Sequence, residues 1–136
     1  MKYLDASIIL ATIIPDSNIS DICKEIMDAI ESDREHAVTS VFTITEVYYV
    51  LEREFKTKKL IETKIKAVLD LKGLEIVNLD VGMLAGTVEL ATQYKVDLID
   101  AINIKVMNQL GIKTIYSLDS DYDRFREIKR LACLKI

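Results

Sequence analysis

The chain has 136 residues, which suits one domain, and 50% of them are hydrophobic while 29% are charged, as in globular proteins. Its net charge of −4 argues weakly against nucleic-acid binding, because phosphate contacts need Lys and Arg. It has no apolar run that could cross a membrane, no signal-peptide pattern and no linker rich in Gly, Ser or Pro. We therefore expect one cytoplasmic unit over residues 1–136.

Hydrophobic periodicity predicts strands that alternate with helices along the chain. The first half is predicted to hold strands at 3–4 and 37–40 and helices over 7–14, 17–32, 42–55 and 57–71. The second half is predicted to hold strands at 74–78 and 113–117, an edge strand at 131–136, and helices over 81–94 and 97–110. Pro15, Gly73 and Gly111 are interpreted as stop signals, and Asp80 as a helix cap. Alternation of this kind implies an α/β fold with a central parallel sheet of four or five strands flanked by helices.

Cysteine and histidine offer no metal site in this sequence. Cys23 and Cys133 lie far apart, and His36 is the single histidine. We expect both cysteines to be reduced, as is usual in the cytoplasm.

Acidic residues follow the predicted strands at the edge where ligands bind in open α/β sheets. Asp5 and Asp119 come just after strands, and Glu46 follows the strand end at Ser40 by about a turn and a half of helix. An N-cap is the alternative role for Asp5. Asp80 also follows a strand, but we assign it to helix capping.

Glu46 is the only charged residue between Val41 and Leu51. Helices that are apolar on all sides are usually buried, and a buried carboxylate is costly unless it is paired or binds a metal. The alternative is a solvated charge on a narrow polar face.

Asp97 and Asp100 open the helix that Gly111 closes. They could form a capping box, with Asp97 as the N-cap. Alternatively, Asp100 points inward from the first turn, since it shares a stripe with Ile104 and Met107.

Asp119, Asp121 and Asp123 alternate in a way that suggests a calcium loop. That loop requires Gly at its sixth position and Glu at its twelfth, where this chain has Arg124 and Arg130. The remaining interpretations are a turn, or acids that face the same cleft as Asp5.

Carboxylates that converge without balancing bases repel one another, and divalent cations relieve that repulsion. Oxygen ligands without Cys or His select Mg²⁺ or Mn²⁺. Such ions can activate water and stabilise the leaving oxygen of a phosphodiester. The sequence therefore predicts a metal-dependent catalytic cluster, in which every acid serves both catalysis and metal binding: Asp5, Glu46, Asp100 and Asp119.

The order Leu4-Asp5-Ala6-Ser7, Thr45-Glu46-Val47, Asp100-Ala101 and Ser117-Leu118-Asp119 resembles the PIN-domain family, and the length is similar to that of VapC-type toxins of toxin–antitoxin pairs. The resemblance covers nearly the whole chain. It implies a PIN-like nuclease domain over residues 1–136 that cleaves RNA with Mg²⁺ or Mn²⁺. It also implies a homodimer and, for the toxins, a cognate antitoxin protein that occupies the active site.

The same resemblance implies roles for individual residues. Asp5 and Asp100 would be the principal ligands, Glu46 a ligand directly or through water, and Asp119 the last member of the cluster. Supporting roles, through hydrogen bonds or by sharing a carboxylate's task, fall to Ser7, Asp97, Ser117 and Asp121.

Basic residues are concentrated in two segments, 53–66 and 124–135, each with a net charge of +4. Both could grip phosphates beside an acidic cleft, although charge runs are more often solvated helical faces. The candidate RNA-binding residues are Arg53, Lys56, Lys58, Lys59, Arg124 and Arg126.

Other functions fit less well. The four intact acids argue against a PIN-like module that binds RNA or protein without cutting RNA. A phosphoacceptor domain needs a Lys after a late strand, where Ser117-Leu118-Asp119 stands, and a haloacid-dehalogenase phosphatase needs Asp where Ser7 stands. Nucleotide binding lacks a Gly-rich loop.

Overall fold

The computed structural model describes residues 1–14 and 18–131, without the side chains of 18–20. The predictions for Pro15, Cys133 and residues 132–136 therefore lie outside the described residues. The strands are β1 (Lys2–Leu4), β2 (Ala37–Ser40), β3 (Leu74–Val77), β4 (Thr114–Tyr116) and β5 (Lys129–Leu131). The helices are α1 (Ala6–Ile13), α2 (Asn18–Glu31), α3 (Val41–Glu54), α4 (Lys58–Leu69), α5 (Val81–Tyr94) and α6 (Leu98–Leu110).

The five strands form one parallel sheet in the order β3-β2-β1-β4-β5, which confirms the predicted α/β class. Side chains alternate across β1, so that its two faces build two cores. Leu4 packs into the core with α1 to α4, and Tyr3 packs into the core with α6. No helix in the described ranges is long and apolar enough to cross a bilayer.

Local signals end and begin several helices as predicted. Asp80 and Asp97 are N-caps whose side chains accept hydrogen bonds from Met83 N and Asp100 N. Gly111 takes the left-handed C-cap conformation, with φ of +69°.

Gly73 does not serve as the predicted helix stop, because α4 already ends at Leu69 with Asp70 as its C-cap. A Cβ atom on Gly73 would lie 2.3 Å from the carbonyl oxygen of Glu35 and 2.7 Å from that of Ile30. Glycine is needed there because the backbone segments that enter β2 and β3 approach closely.

The first half of α3 is apolar almost all round, but it is not buried on every side. Val41 is 43% exposed and Tyr49 is 60% exposed. The strand order explains this, since β3 is an edge strand and α3 and α4 cover it only in part.

Candidate active site at the carboxyl edge of the sheet

Asp5 lies at the carboxyl end of the central strand β1 and is 6% exposed. It occupies the N-cap position of α1, but its side chain makes no capping hydrogen bond. Its Oδ2 instead accepts hydrogen bonds from the Ser7 and Ser117 hydroxyls, both at 2.7 Å. Burial raises the pKa of Asp5 above its ordinary value, while the bonds from Ser117 and Ser7 act to lower it. Capping therefore does not explain this side chain.

Asn103 of α6 is a site residue that the sequence analysis missed. It is fully buried, and its Nδ2 donates hydrogen bonds to Asp5 Oδ1 at 3.2 Å and to the Tyr122 hydroxyl at 2.8 Å. Its Oδ1 accepts from Tyr3 and Thr43 hydroxyls. Asn103 could have been found in the sequence in the same way as Glu46, because it is a polar residue among the apolar residues between Ile99 and Ile104.

Asp100 is half-buried on the first turn of α6, whereas Asp97 is exposed. The Tyr122 hydroxyl donates a hydrogen bond to Asp100 Oδ1 at 2.9 Å. Burial, together with the neighbouring charges of Asp97 and Asp5, raises the pKa of Asp100 to about 6, while the hydrogen bond from Tyr122 acts to lower it. Asp100 thus faces the other acids, while Asp97 caps the helix.

Asp119 follows β4 and is the N-cap of a short 3-10 helix, Ser120–Arg124. Its Oδ1 accepts a hydrogen bond from Asp121 N at 2.9 Å, and its own N–H donates to Ser117 Oγ at 3.0 Å. Ser117 therefore links Asp5 to the start of this loop. Arg130 of β5 holds the other end, through two hydrogen bonds of 2.9 Å to Asp123.

Glu46 is half-buried on α3. Burial raises its pKa to about 7, assisted by the charges of Asp5, Asp97, Asp100 and Asp119. These charges act on Glu46 from the end of β1, the start of α6 and the loop after β4. The predicted acids therefore influence one another electrostatically at the carboxyl edge of the sheet.

Carboxylate oxygens of Asp100, Asp119 and Asp121 lie within 4.8 Å of one another. Hard oxygen donors at such spacing suit a small divalent cation. The donor set therefore fits Mg²⁺ or Mn²⁺. Asp121, for which only a supporting role was predicted, is as well placed as Asp119.

The six candidate RNA-binding residues are all exposed or partly exposed. Arg124 lies on the 3-10 helix beside the acids and donates a hydrogen bond to Tyr94 O at 2.8 Å. Arg53 lies near the end of α3, and Lys56, Lys58 and Lys59 lie between α3 and α4 or at the start of α4. Two of the candidates therefore border the acidic cluster, and four are displaced along α3 and α4.

Most of the chain matches one known protein family. Residues 2–128 match the family described as PIN domain. A search of curated protein sequences finds no match.

Several solved structures share the fold at low identity. A toxin from Mycobacterium tuberculosis, VapC20, described as cleaving the sarcin-ricin loop, has a TM-score of 0.76 and 15% identity over 91% of this chain and 94% of its own. VapBC2 from Rickettsia felis, bound to a promoter DNA fragment, has a TM-score of 0.72 and 16% identity over 97% and 98%. A toxin–antitoxin complex from Klebsiella pneumoniae has a TM-score of 0.69 and 15% identity over the whole of both chains. At these identities the likeness establishes the fold alone.

Proposed function

The chain belongs to the PIN domain family, and from this premise we propose that it is a metal-dependent endoribonuclease that hydrolyses single-stranded RNA. One observation carries the proposal. Carboxylate oxygens of Asp100, Asp119 and Asp121 lie within 4.8 Å of one another, and burial together with neighbouring carboxylates raises the pKa of Glu46 to about 7. Such mutual repulsion is a cost to the fold that a divalent cation would remove.

In this proposal the residues that hold Mg²⁺ or Mn²⁺ are Asp5, Glu46, Asp100 and Asp119. Asp121 contributes a further carboxylate oxygen, because it lies within 4.8 Å of those of Asp100 and Asp119. When bound, the cation would activate water and neutralise charge on the phosphodiester. Ser7 and Ser117 fix the Asp5 carboxylate, since both hydroxyls donate to the same oxygen. The exposed basic residues beside the 3-10 helix would bind the nearest phosphates, and those of α3 and α4 would bind phosphates further along the strand.

Hydrolysis by water does not use the RNA 2′-hydroxyl as the attacking group. The products should therefore carry 5′-phosphate and 3′-hydroxyl ends. The test incubates the purified chain with single-stranded RNA in Mn²⁺, in Mg²⁺ and in EDTA, and maps the termini of the fragments. Cyclic 2′,3′-phosphates, or cleavage that survives both EDTA and Asp5→Asn, would contradict the proposal.

We further propose that the protein is a cytoplasmic toxin with a cognate antitoxin protein. The proposal is supported by the solved structures that share the fold, because they include toxin–antitoxin complexes. The gene beside this one provides the test. We expect that gene to be a short reading frame for a DNA-binding protein that co-purifies with this chain and inhibits its RNA cleavage. A neighbouring gene product that neither co-purifies nor inhibits would contradict the proposal.

The homodimer is also part of the proposal. A groove of about 600 Å³ lies along α3 and α4, and its lining includes Tyr48, Tyr49 and Leu69. Tyr49 is 60% exposed and Leu60 of α4 is 40% exposed, which is apolar surface of the kind that partners cover. Sedimentation should show a dimer at micromolar concentration, and a clean monomer would exclude it.

A further inference from the structure

Behind the acidic edge, three buried side chains form a continuous chain of hydrogen bonds. Tyr3 and Asn103 are 0% exposed and Tyr122 is 1% exposed. The Tyr3 hydroxyl lies 2.7 Å from Asn103 Oδ1, Asn103 Nδ2 lies 2.8 Å from the Tyr122 hydroxyl, and that hydroxyl lies 2.9 Å from Asp100 Oδ1. A branch runs from Asn103 Nδ2 to Asp5 Oδ1 at 3.2 Å. The chain thus connects β1, α6 and the 3-10 helix.

The direction of each hydrogen bond follows from the chemistry of the groups. An ionised Asp5 carboxylate can only accept, so the amide of Asn103 must turn its NH₂ towards Asp5. The second N–H of that amide then donates to Tyr122, and the Tyr122 proton is left to donate to Asp100. A tyrosine hydroxyl keeps its proton at neutral pH, so the Tyr122 hydroxyl can make this donation.

From this geometry, and resting on the proposed function, we propose that Asn103 and Tyr122 are positioning residues that orient the Asp5 and Asp100 carboxylates for the metal. Each of these two carboxylates receives a fixed donor from this chain on its Oδ1 atom. Because Asp5 Oδ2 already accepts from two serine hydroxyls, the lone pairs left for an ion are one on Asp5 Oδ1 and those that remain on the Asp100 carboxylate. Orientation of ligands by outer hydrogen bonds typically governs metal affinity in proteins.

The fold alone does not require these polar groups. The surrounding core is aliphatic, with Ile102, Met107 and Ile115 fully buried in it. Phe at position 122 and an aliphatic residue at 103 would fill comparable volume without burying polar atoms, which is often neutral for stability. Tyr3 and Thr43 could satisfy each other, since their hydroxyl oxygens are 3.3 Å apart. The polar chain is therefore explained by the two carboxylates at which it ends.

The test is Tyr122→Phe, which removes one hydroxyl and keeps the ring. Calorimetric titration of the full chain with Mn²⁺ alone should show a dissociation constant raised by ~10-fold or more. The matched control is Tyr116→Phe. The Tyr116 ring packs against the other core, and its hydroxyl donates to Glu35 Oε2 at 3.2 Å. This variant therefore loses a comparable bond without changing any contact of the acidic cluster. We expect it to leave the Mn²⁺ affinity unchanged.

Asn103→Leu provides an independent second variant, and the double variant with Tyr122→Phe completes a cycle. If both residues act through one chain, the double variant should bind Mn²⁺ about as weakly as Asn103→Leu does, because the effects are not additive. Circular dichroism in EDTA reports whether each variant is folded.

Wild-type affinity for Mn²⁺ in either folded variant would overturn the inference. Unfolding of both variants would also overturn it, since the hydrogen-bonded side chains would then be a requirement of the fold. The wild-type titration separates this outcome from failure of the proposed function. A wild-type protein that neither binds Mn²⁺ nor cleaves RNA refutes that function directly.

Discussion

The acidic edge of the sheet contains two groups of carboxylates that the protein holds in different ways. Asp5 and Asp100, the inner pair, are each bound by side chains from other elements. Glu46, Asp119 and Asp121, the outer acids, accept no hydrogen bond from a side chain of another element within the described ranges. The Asp119 carboxylate accepts a local bond from Asp121 N, two residues along the same loop.

This difference suggests a division of labour. The inner pair is fixed before any ligand arrives, which lowers the free energy spent on ordering when an ion binds. The outer acids retain freedom to adjust to an ion and to RNA. Substitutions in the inner pair should therefore have larger effects than those among the outer acids.

The largest effect should come from Asp5→Asn. The inner pair supplies the ligands themselves, so we expect RNA cleavage to fall by more than ~100-fold, beyond what supporting residues usually cost. Mn²⁺ should also no longer raise the melting temperature, since that rise depends on binding to the folded state. Glu35→Gln is the control, because Glu35 pairs with Lys2 outside the cluster. Wild-type cleavage by the Asp5→Asn variant would show that the inner pair is misassigned.

A second comparison tests membership of the inner pair. Asp100→Asn should reduce cleavage by ~100-fold, while Asp97→Asn should only weaken it, because Asn caps helices as well as Asp. Asp97 accepts the capping bond from Asp100 N at 2.9 Å, and Asn can keep that bond. Steady-state cleavage assays of both variants decide the matter. The opposite ranking would exchange the roles of these two residues.

Ser117→Ala should have an intermediate effect, because Ser117 connects the two groups. Its hydroxyl donates to Asp5 Oδ2 and accepts from Asp119 N, and it is fully buried. We expect ~10-fold weaker Mn²⁺ binding and ~1 kcal/mol lower stability. Ser120→Ala, at an exposed position on the same loop, should change neither quantity. Equal effects of the two variants would mean that the loop tolerates loss of this link.

Glu46 and Asp119 were easier to propose from the sequence than Asn103 and Tyr122, two of the side chains that support the inner pair. Asp119 follows a β-branched strand, and Glu46 interrupts an apolar helix, so each is marked by its local context. Asn103 and Tyr122 were missed because their meaning depends on contacts across the fold. Asn103 is 98 residues away from Asp5 in sequence, and no local pattern shows that the two side chains meet.

The fold shows the same limit. Caps such as Asp80 and Gly111 are local, and they were predicted correctly. The use of Gly73 was not, because its reason is a close approach to Glu35 from another part of the chain. The exposure of Tyr49 likewise depends on β3 being at the edge of the sheet, and strand order cannot be read from periodicity.

The metal-free protein should lose stability as the pH rises from about 5 to about 7. Burial and neighbouring charges raise the pKa of Glu46 from 4.5 to about 7 and that of Asp100 from 3.8 to about 6. The folded state therefore binds more protons than the unfolded state in this range, and its stability falls as they are released. Melting temperatures in EDTA across this range check the sign. Glu46→Gln should flatten the slope, and a melting temperature that rises with pH would contradict the clustering of these acids.

The smallest effects should come from the exposed basic residues on either side of the cluster. Arg126 follows the 3-10 helix near Asp119 and Asp121, whereas Arg53 lies about two turns beyond Glu46 on α3. If both contact phosphates, each Arg→Ala variant should weaken RNA binding and lower the salt dependence of log K by ~0.7, the value for one contact on a single strand. Lys24→Ala on α2 is the control, since it removes one exposed charge from a helix that contributes no residue to the acidic cluster. Binding measured in EDTA at several salt concentrations separates this term from metal binding. If the salt dependence of log K is lower for Arg126→Ala but not for Arg53→Ala, the RNA lies across the loop after β4. If both variants have the same salt dependence as Lys24→Ala, these arginines are solvated surface charges.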